Sequence, residues 1–414
     1  MSERTSSRSF LRRLPITTAV AAILAIVAAF TLAQRLQAAQ HRYDDVDFAM
    51  FYAWWTDYSA GGDPWLVQGK SIELRPGLTL PRECNNTPFF IEVFSPLARL
   101  DQKTAFWIWQ TLHILCLVAA VLMLARGNDP PLGAAPMIIV ISLALISRQF
   151  TGALVGAAPT PMLLALLSAS WFCARRERPA AAGLCLALAA LLRLYPMTVG
   201  GYFLFGRRWH SLLAAIGCFL IGEVLTNPIH WFELATLQMS ASYSIVGHAE
   251  LTVLAFVRKI VAHLAGTTVA AEPFFAVVAI TALIDLVLLA IAAAATFASR
   301  NRTDLDGLLF GLWVALALLM SPLAWIPETL LLLPAYLFGI LAALGGFQRR
   351  EAVRQIPLIA GAAILAACIA TALIKAVPHP GFPVLMAAYL SSALIFRARI
   401  EADPPREEAL RSTR

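Results

Sequence analysis

Asp44, Asp45 and Asp47 place three carboxylates within four residues, and aromatic residues follow at 48, 51, 52, 54 and 55. A carboxylate held beside apolar walls loses hydration. Its pKa rises, and it becomes suited to taking a proton from a substrate. Asp47 is the best placed of the three because it opens the aromatic stretch. The plainer reading of the same residues is a solvated acidic turn followed by an aromatic belt at a membrane interface. Ala60-Gly61-Gly62-Asp63-Pro64-Trp65 comes next. It is a turn signal in which Asp63 suits an Asx turn ahead of Pro64. Asp45-x-Asp47 also has the letters of a metal motif, which keeps a metal-dependent alternative open. The three histidines His230, His248 and His263 are not spaced as a helix-borne ligand pair, and no zinc site is expected from them.

These residues sit in a chain built for a bilayer. Of 414 residues, 59% are hydrophobic and 14% charged, with a mean hydropathy of +0.72. A soluble domain runs at about 45–50% apolar and about 25% charged. A soluble globular enzyme, a disordered chain and a fibrous one are excluded. Apolar runs at 15–33, 104–125, 131–147, 157–174, 179–192, 194–206, 210–226, 274–298, 306–321, 327–346, 356–375 and 381–396 predict an all-α polytopic membrane protein. About twelve transmembrane helices are expected, with eleven to thirteen as the range. The pair 179–192 and 194–206 competes with a single long span, which would invert everything after it. Charge decides: with two spans, the segments on the side of the N-terminus hold 20 of the 32 Lys and Arg but 10 of the 25 acids. This is the positive-inside asymmetry, with both termini in the cytoplasm. The net charge of +7 and the pI of about 9.3 are then topology, not nucleic-acid binding. The six Cys lie mostly in apolar runs without C-x-x-C spacing, so neither a disulfide framework nor a zinc site is expected.

The expected organisation is a cytoplasmic N-terminus at 1–13, one transmembrane domain at 14–396 and a disordered cytoplasmic tail at 397–414. Two outer loops, about 38–103 and 227–273, are too long to be simple turns. Short amphipathic helices are expected in them, Leu251–Ala270 among these. Elaborate loops on a rigid scaffold usually carry function, which places the chemistry on the outer face. Pro88-Phe89-Phe90-Ile91-Glu92-Val93-Phe94-Ser95-Pro96-Leu97 is apolar but too short to span and reads as re-entrant or interfacial.

Several motifs, in order, resemble glycosyltransferase family 87. They are Asp47-Phe48, Phe51-Tyr52, Gly61-x-Asp63-Pro64-Trp65 and Pro88-Phe89-Phe90 with Pro96-Leu97. Two more follow: Arg193-Leu194-Tyr195-Pro196 with Gly206-Arg207-Arg208-Trp209, and Met320-Ser321-Pro322-Leu323-Ala324-Trp325. The resemblance covers about 40–340. It implies the GT-C architecture and a polyprenyl-phosphate-mannose-dependent, inverting mannosyltransferase. Many members continue after that Trp with x-His-His, whereas this chain has Ile326-Pro327-Glu328.

The resemblance also assigns roles. Asp47 becomes the general base for the acceptor hydroxyl, with Asp45 and Asp44 behind it. The departing lipid phosphate needs positive charge. Arg193 is the first choice, at the outer tip of a helical hairpin where a cation needs a partner or a path to the headgroups. Arg148, Arg258 and Lys259 are further candidates, each with interfacial anchoring as the plainer role. His230 and His248 are candidates to replace the missing His-His. Tyr52, Trp55, Asp63, Trp65 and Glu328 are the acceptor- or sugar-binding candidates, Glu328 with helix capping as its alternative. No cofactor is implied. The implied partners are a polyprenyl-phosphate sugar donor, a lipid-linked acceptor and membrane lipids, at the outer face of a bacterial plasma membrane. The competing readings are a transporter or flippase of a lipid-linked substrate, and an O-antigen-type polymerase or ligase. The first would favour paired broken helices and the second a large late loop.

Overall fold

A computed structural model describes residues 6–40, 46–65, 71–75, 78–81, 84, 86–128, 131–226, 229–231, 252–266, 274–321 and 326–347. The first helix, α1 (Ser6–Ala39), carries an apolar stretch of 23 residues from Thr17. At 1.5 Å per residue it is long enough for a bilayer core about 30 Å thick. The loop after it folds as α2 (Val46–Ser59), a hairpin of β1 (Ser71–Arg75) with β2 (Leu78–Pro81), α3 (Pro88–Phe94) and a 3-10 turn at Ser95–Arg99. A short hairpin accompanies the helices expected in this loop. The aromatic stretch is not an exposed belt. Phe48, Phe51, Trp54 and Trp55 are all buried. Their spacing turns them to one face of α2, where they meet Phe90 and the first turns of α4 (Gln102–Gly127). Phe48 packs edge-on to Phe106 at 5.1 Å, and Trp55 lies 5.4 Å from Trp109. Asp101 caps α4, its Oδ1 accepting the Thr104 N–H at 3.0 Å.

The chain turns back into α5 (Ala134–Ile146), bends by 53° at Ser147 and continues as the short α6 (Arg148–Val155). Arg35 of α1 holds this bend. Its guanidinium donates to the Leu145 and Ile146 carbonyls, both at 2.7 Å, and so satisfies carbonyls the end of α5 leaves over.

Next come α7 (Thr160–Arg175), α8 (Pro179–Leu192), a 3-10 turn at Tyr195–Val199, α9 (Gly200–Phe205) and α10 (Trp209–Leu225). Helices α8 and α10 lie so close that a Cβ on Gly183 would strike the Ser211 carbonyl and one on Gly222 the Leu191 side chain. Early residues face early and late face late, so the two helices run parallel. The segment between them therefore folds back. Arg208, which ends it, donates to Asp306 and to the Tyr202 hydroxyl. Arg175, at the end of α7, lies 3.9 Å from the same Asp306. The turns at 175–178 and 206–208 thus share one end of the bundle, as the two-span reading of 179–206 requires.

Beyond these come α11 (Val253–Ala265), α12 (Phe274–Ser299), α13 (Asp306–Leu319), a 3-10 turn at Ile326–Leu332 and α14 (Leu333–Phe347). Thr252 caps α11, and Gly266, at φ +62°, ends it. Helix α13 is buried along almost its whole length and forms the centre of the bundle. A helix apolar all round can only be buried in protein or lipid. Among the described residues, α1, α4 and α12 qualify as spans by length and hydropathy, and the bent pair α5–α6 makes up to four. α8, α10 and α13 are apolar but shorter. The expected runs at 356–375 and 381–396 lie outside the described residues.

Candidate active site

The site forms at the C-terminal end of α8, away from the arginine-rich turns. Thr87 starts it. Its side chain caps α3 by accepting the Phe90 N–H at 3.2 Å, with Pro88 suited to the first helical position. Its hydroxyl donates to the Leu191 carbonyl at 2.5 Å. This bond fastens the end of the first long loop onto the end of α8, immediately before Arg193.

Asp63 orders the loop from the other side. Its Oδ1 accepts the Trp65 N–H at 2.9 Å, the Asx turn expected from Asp63-Pro64. The Trp65 indole N–H then donates to the Asn86 carbonyl at 3.0 Å. The second long loop reaches in through His230. Its ring stacks on Trp65 with centres 4.6 Å apart, and its Nδ1 lies 3.6 Å from Asp63 Oδ2.

Cys84 lies inside this arrangement, fully buried. Burial pushes its thiol well above the usual range. The Asn86 backbone and the Arg193 charge pull it down, and Asp63 pushes it up, which places both charges around it. Arg193 leaves α8 in extended conformation, half-buried, with a buried Nε that has no hydrogen-bond partner. The buried Tyr195 hydroxyl lies against Glu328 and within electrostatic reach of Arg193. Glu328, 6% exposed, is carried by the 3-10 turn at Ile326–Leu332. That turn leans on α6: a Cβ on Gly152 would come within 3.2 Å of Pro327.

Five expected residues, Asp63, Trp65, Arg193, His230 and Glu328, are therefore gathered around one helix end. Others are placed elsewhere. The Tyr52 hydroxyl donates to the Leu100 carbonyl at 2.7 Å and ties α2 to the following turn. Trp55 is fully buried among Phe48, Phe90 and Trp109. Arg148 is exposed as the first residue of α6. Arg258 is 1% exposed, so it points into the protein and not to a headgroup layer. Asp47 is the second residue of α2. Its side chain, that of Lys259, and all of Asp45 and His248 lie outside the described residues. Sequence reasoning passed over Asn86 and Tyr195. The only signals were the Asn85-Asn86-Thr87-Pro88 cap and the place of Tyr195 beside Arg193.

The groups at this end are polar: a half-buried guanidinium, an imidazole beside a carboxylate, and indole and phenol groups around them. No group of three or more metal-ligating side chains occurs among the described residues. No curated protein matches the chain. The sequence model of glycosyltransferase family 87 matches residues 86–322, opening at Asn86 and taking in Arg193, Tyr195 and His230. It leaves out Asp44–Asp47, Trp65 and Glu328. The match covers more than half of the chain and falls on a bundle of apolar helices, as a membrane glycosyltransferase requires: the chain belongs to glycosyltransferase family 87.

Proposed function

We propose that the protein transfers a sugar, mannose by family default, from a polyprenyl-phosphate donor to a lipid-linked glycan acceptor. In this reading it works at the outer face of a bacterial plasma membrane, within a GT-C-like bundle of about twelve spans. Its arginine-rich turns are cytoplasmic, and the end of α8 faces outward.

The observation that carries the reading is Arg193. It sits at the C-terminus of α8, where the helix dipole favours a cation, with Nε buried and unpaired. A guanidinium fork suits a phosphate better than any other side chain does. The donor's single linkage phosphate asks for that one strong cation and not for a metal.

The reaction is a single displacement. The acceptor hydroxyl oxygen attacks the anomeric carbon from the face opposite the phosphate. The bond from that carbon to the phosphate oxygen breaks, and polyprenyl phosphate leaves with the electron pair, its charge held by Arg193. The hydroxyl proton passes to Asp47, and the anomeric configuration inverts. His230, oriented by Asp63, supplies a second donor on the phosphate side, where relatives have His-His. Glu328 and Tyr195 line the sugar side.

The test is a donor screen with purified protein in nanodiscs and mass spectrometry of the lipid products. A product one sugar heavier than the acceptor, formed only with polyprenyl-phosphate sugars, is expected. Movement of a lipid-linked substrate across liposomes with no transfer would establish the transporter reading instead.

A further inference from the structure

Asn86 is fully buried, and neither atom of its side-chain amide has a hydrogen-bond partner. Its backbone carbonyl is engaged twice, by the Trp65 indole at 3.0 Å and by the Cys84 thiol at 3.8 Å. The main chain is therefore fixed while the amide is left over. Buried polar groups in folded proteins are almost always paired, and an unpaired one loses its water partners with nothing in return.

Asn86 is not alone. Arg193 Nε is also buried without a hydrogen bond, and the buried Tyr195 hydroxyl lies against Glu328. The three lie close together. Thr87, next to Asn86, donates to the Leu191 carbonyl, two residues before Arg193 and four before Tyr195. Cys84, which donates to the Asn86 carbonyl, feels the Arg193 charge. Two orphaned polar side chains, Asn86 and Arg193, on segments that meet at one helix end beside Tyr195 and Glu328 call for a polar ligand with hydroxyl-type partners.

We propose that the Asn86 amide reads a hydroxyl of the donor sugar, the one next to the anomeric carbon, and is a specificity-determining residue of this site. This rests on the donor reading above. If Arg193 holds the linkage phosphate, a side chain on the segment that Thr87 fastens to the end of α8 meets the carbons nearest the linkage. A carboxamide offers a donor and an acceptor side by side, which is what a sugar hydroxyl can use in both directions. The configuration at the carbon beside the anomeric centre distinguishes gluco from manno sugars. Asn86 is placed to sense that difference, and it is a neutral group that does not repel the adjacent phosphate as a carboxylate would.

The experiment measures affinity of the full-length protein in nanodiscs for polyprenyl phosphate, polyprenyl-phosphate mannose and polyprenyl-phosphate glucose. Wild type is compared with Asn86→Leu, Asn86→Ser and Arg193→Ala. Asn86→Leu is expected to weaken the preferred sugar donor roughly tenfold or more and to flatten the preference between the two sugars. Its affinity for bare polyprenyl phosphate should be unchanged. Arg193→Ala should weaken all three ligands. Thermal unfolding of Asn86→Leu should match or exceed wild type, because an unpaired buried polar group has been removed. Asn86→Ser gives the same readout if the leucine variant does not fold. Equal losses for sugar-bearing and bare lipid, or undiminished sugar preference in the variants, would overturn the inference and leave the donor reading standing. A wild-type protein that binds polyprenyl phosphate no better with a sugar than without one would overturn both.

Discussion

The Trp65 indole and the His230 imidazole stack with ring centres 4.6 Å apart and planes 26° from parallel. One ring comes from each of the two long loops, and Asp63 touches both residues, so this contact joins the loops at the end of α8. Stacking and the carboxylate contact can be separated. His230→Phe keeps the ring and loses the Asp63 partner, whereas His230→Ala loses both. An aromatic pair contributes about 0.5–1.5 kcal/mol beyond its buried area. His230→Ala should therefore melt below His230→Phe by roughly 1 kcal/mol in detergent, while both lose donor affinity. A phenylalanine variant as unstable as the alanine variant would show that the stack contributes nothing.

Arg193 should depend on the shape of its head group as well as on its charge. Arg193→Lys keeps the cation but not the fork, and charge-assisted pairs of this kind contribute about 1.5–3 kcal/mol. We expect a roughly tenfold weaker Kd for polyprenyl phosphate in Arg193→Lys, with folding intact by size-exclusion chromatography. A lysine variant equal to wild type would indicate simple attraction to anionic headgroups.

Cys84 reports the closure of the site. It is fully buried, and burial holds its thiol in the protonated form far above neutral pH. At pH 8 it should not react with maleimide in the folded protein and should react after unfolding. Rapid labelling of Cys84 in native protein, read by peptide mass spectrometry, would mean that the loop end at 84–87 does not stay packed on α8.

At the other end, Asp306 ties the turns after α7 and α9 to the start of α13 through Arg175, Arg208 and Tyr202. Removing one member of a buried ion pair costs about 3–5 kcal/mol. Arg208 and Arg175 still reach water here, so Asp306→Asn should cost less, roughly 2–3 kcal/mol. Thermal unfolding checks this, and an unchanged melting temperature would show the cluster to be solvated. Affinity for polyprenyl phosphate in the folded fraction should be retained.

Much of this was legible in the sequence. Arg175, Arg178, Arg207 and Arg208 cannot stay in a bilayer, and Pro196 breaks a run too long for one span, so the fold-back through 193–208 followed from charge and proline alone. Asp63-Pro64 predicted its own turn. The aromatic stretch at 48–55 was ambiguous because an interfacial belt and a buried stripe have the same composition. Only the partners Phe90, Phe106 and Trp109, far along the chain, decide it. Cations on an amphipathic helix ordinarily seek headgroups, so the inward turn of Arg258 is tertiary context that its own helix does not announce. Asn86 was invisible for a related reason. An Asn before a Thr-Pro cap is common, and its importance lies in burial without a partner.

We propose that this glycosyltransferase acts on a polyprenyl-phosphate sugar with Asp47 as the base. The most direct measurement is transfer from polyprenyl-phosphate mannose to a lipid acceptor by wild type and Asp47→Asn, in nanodiscs, with binding of the donor followed in parallel. We expect transfer by wild type and, in Asp47→Asn, undiminished donor binding with transfer lowered by about 10²–10⁴-fold or lost. Transfer by Asp47→Asn at the wild-type rate would contradict it.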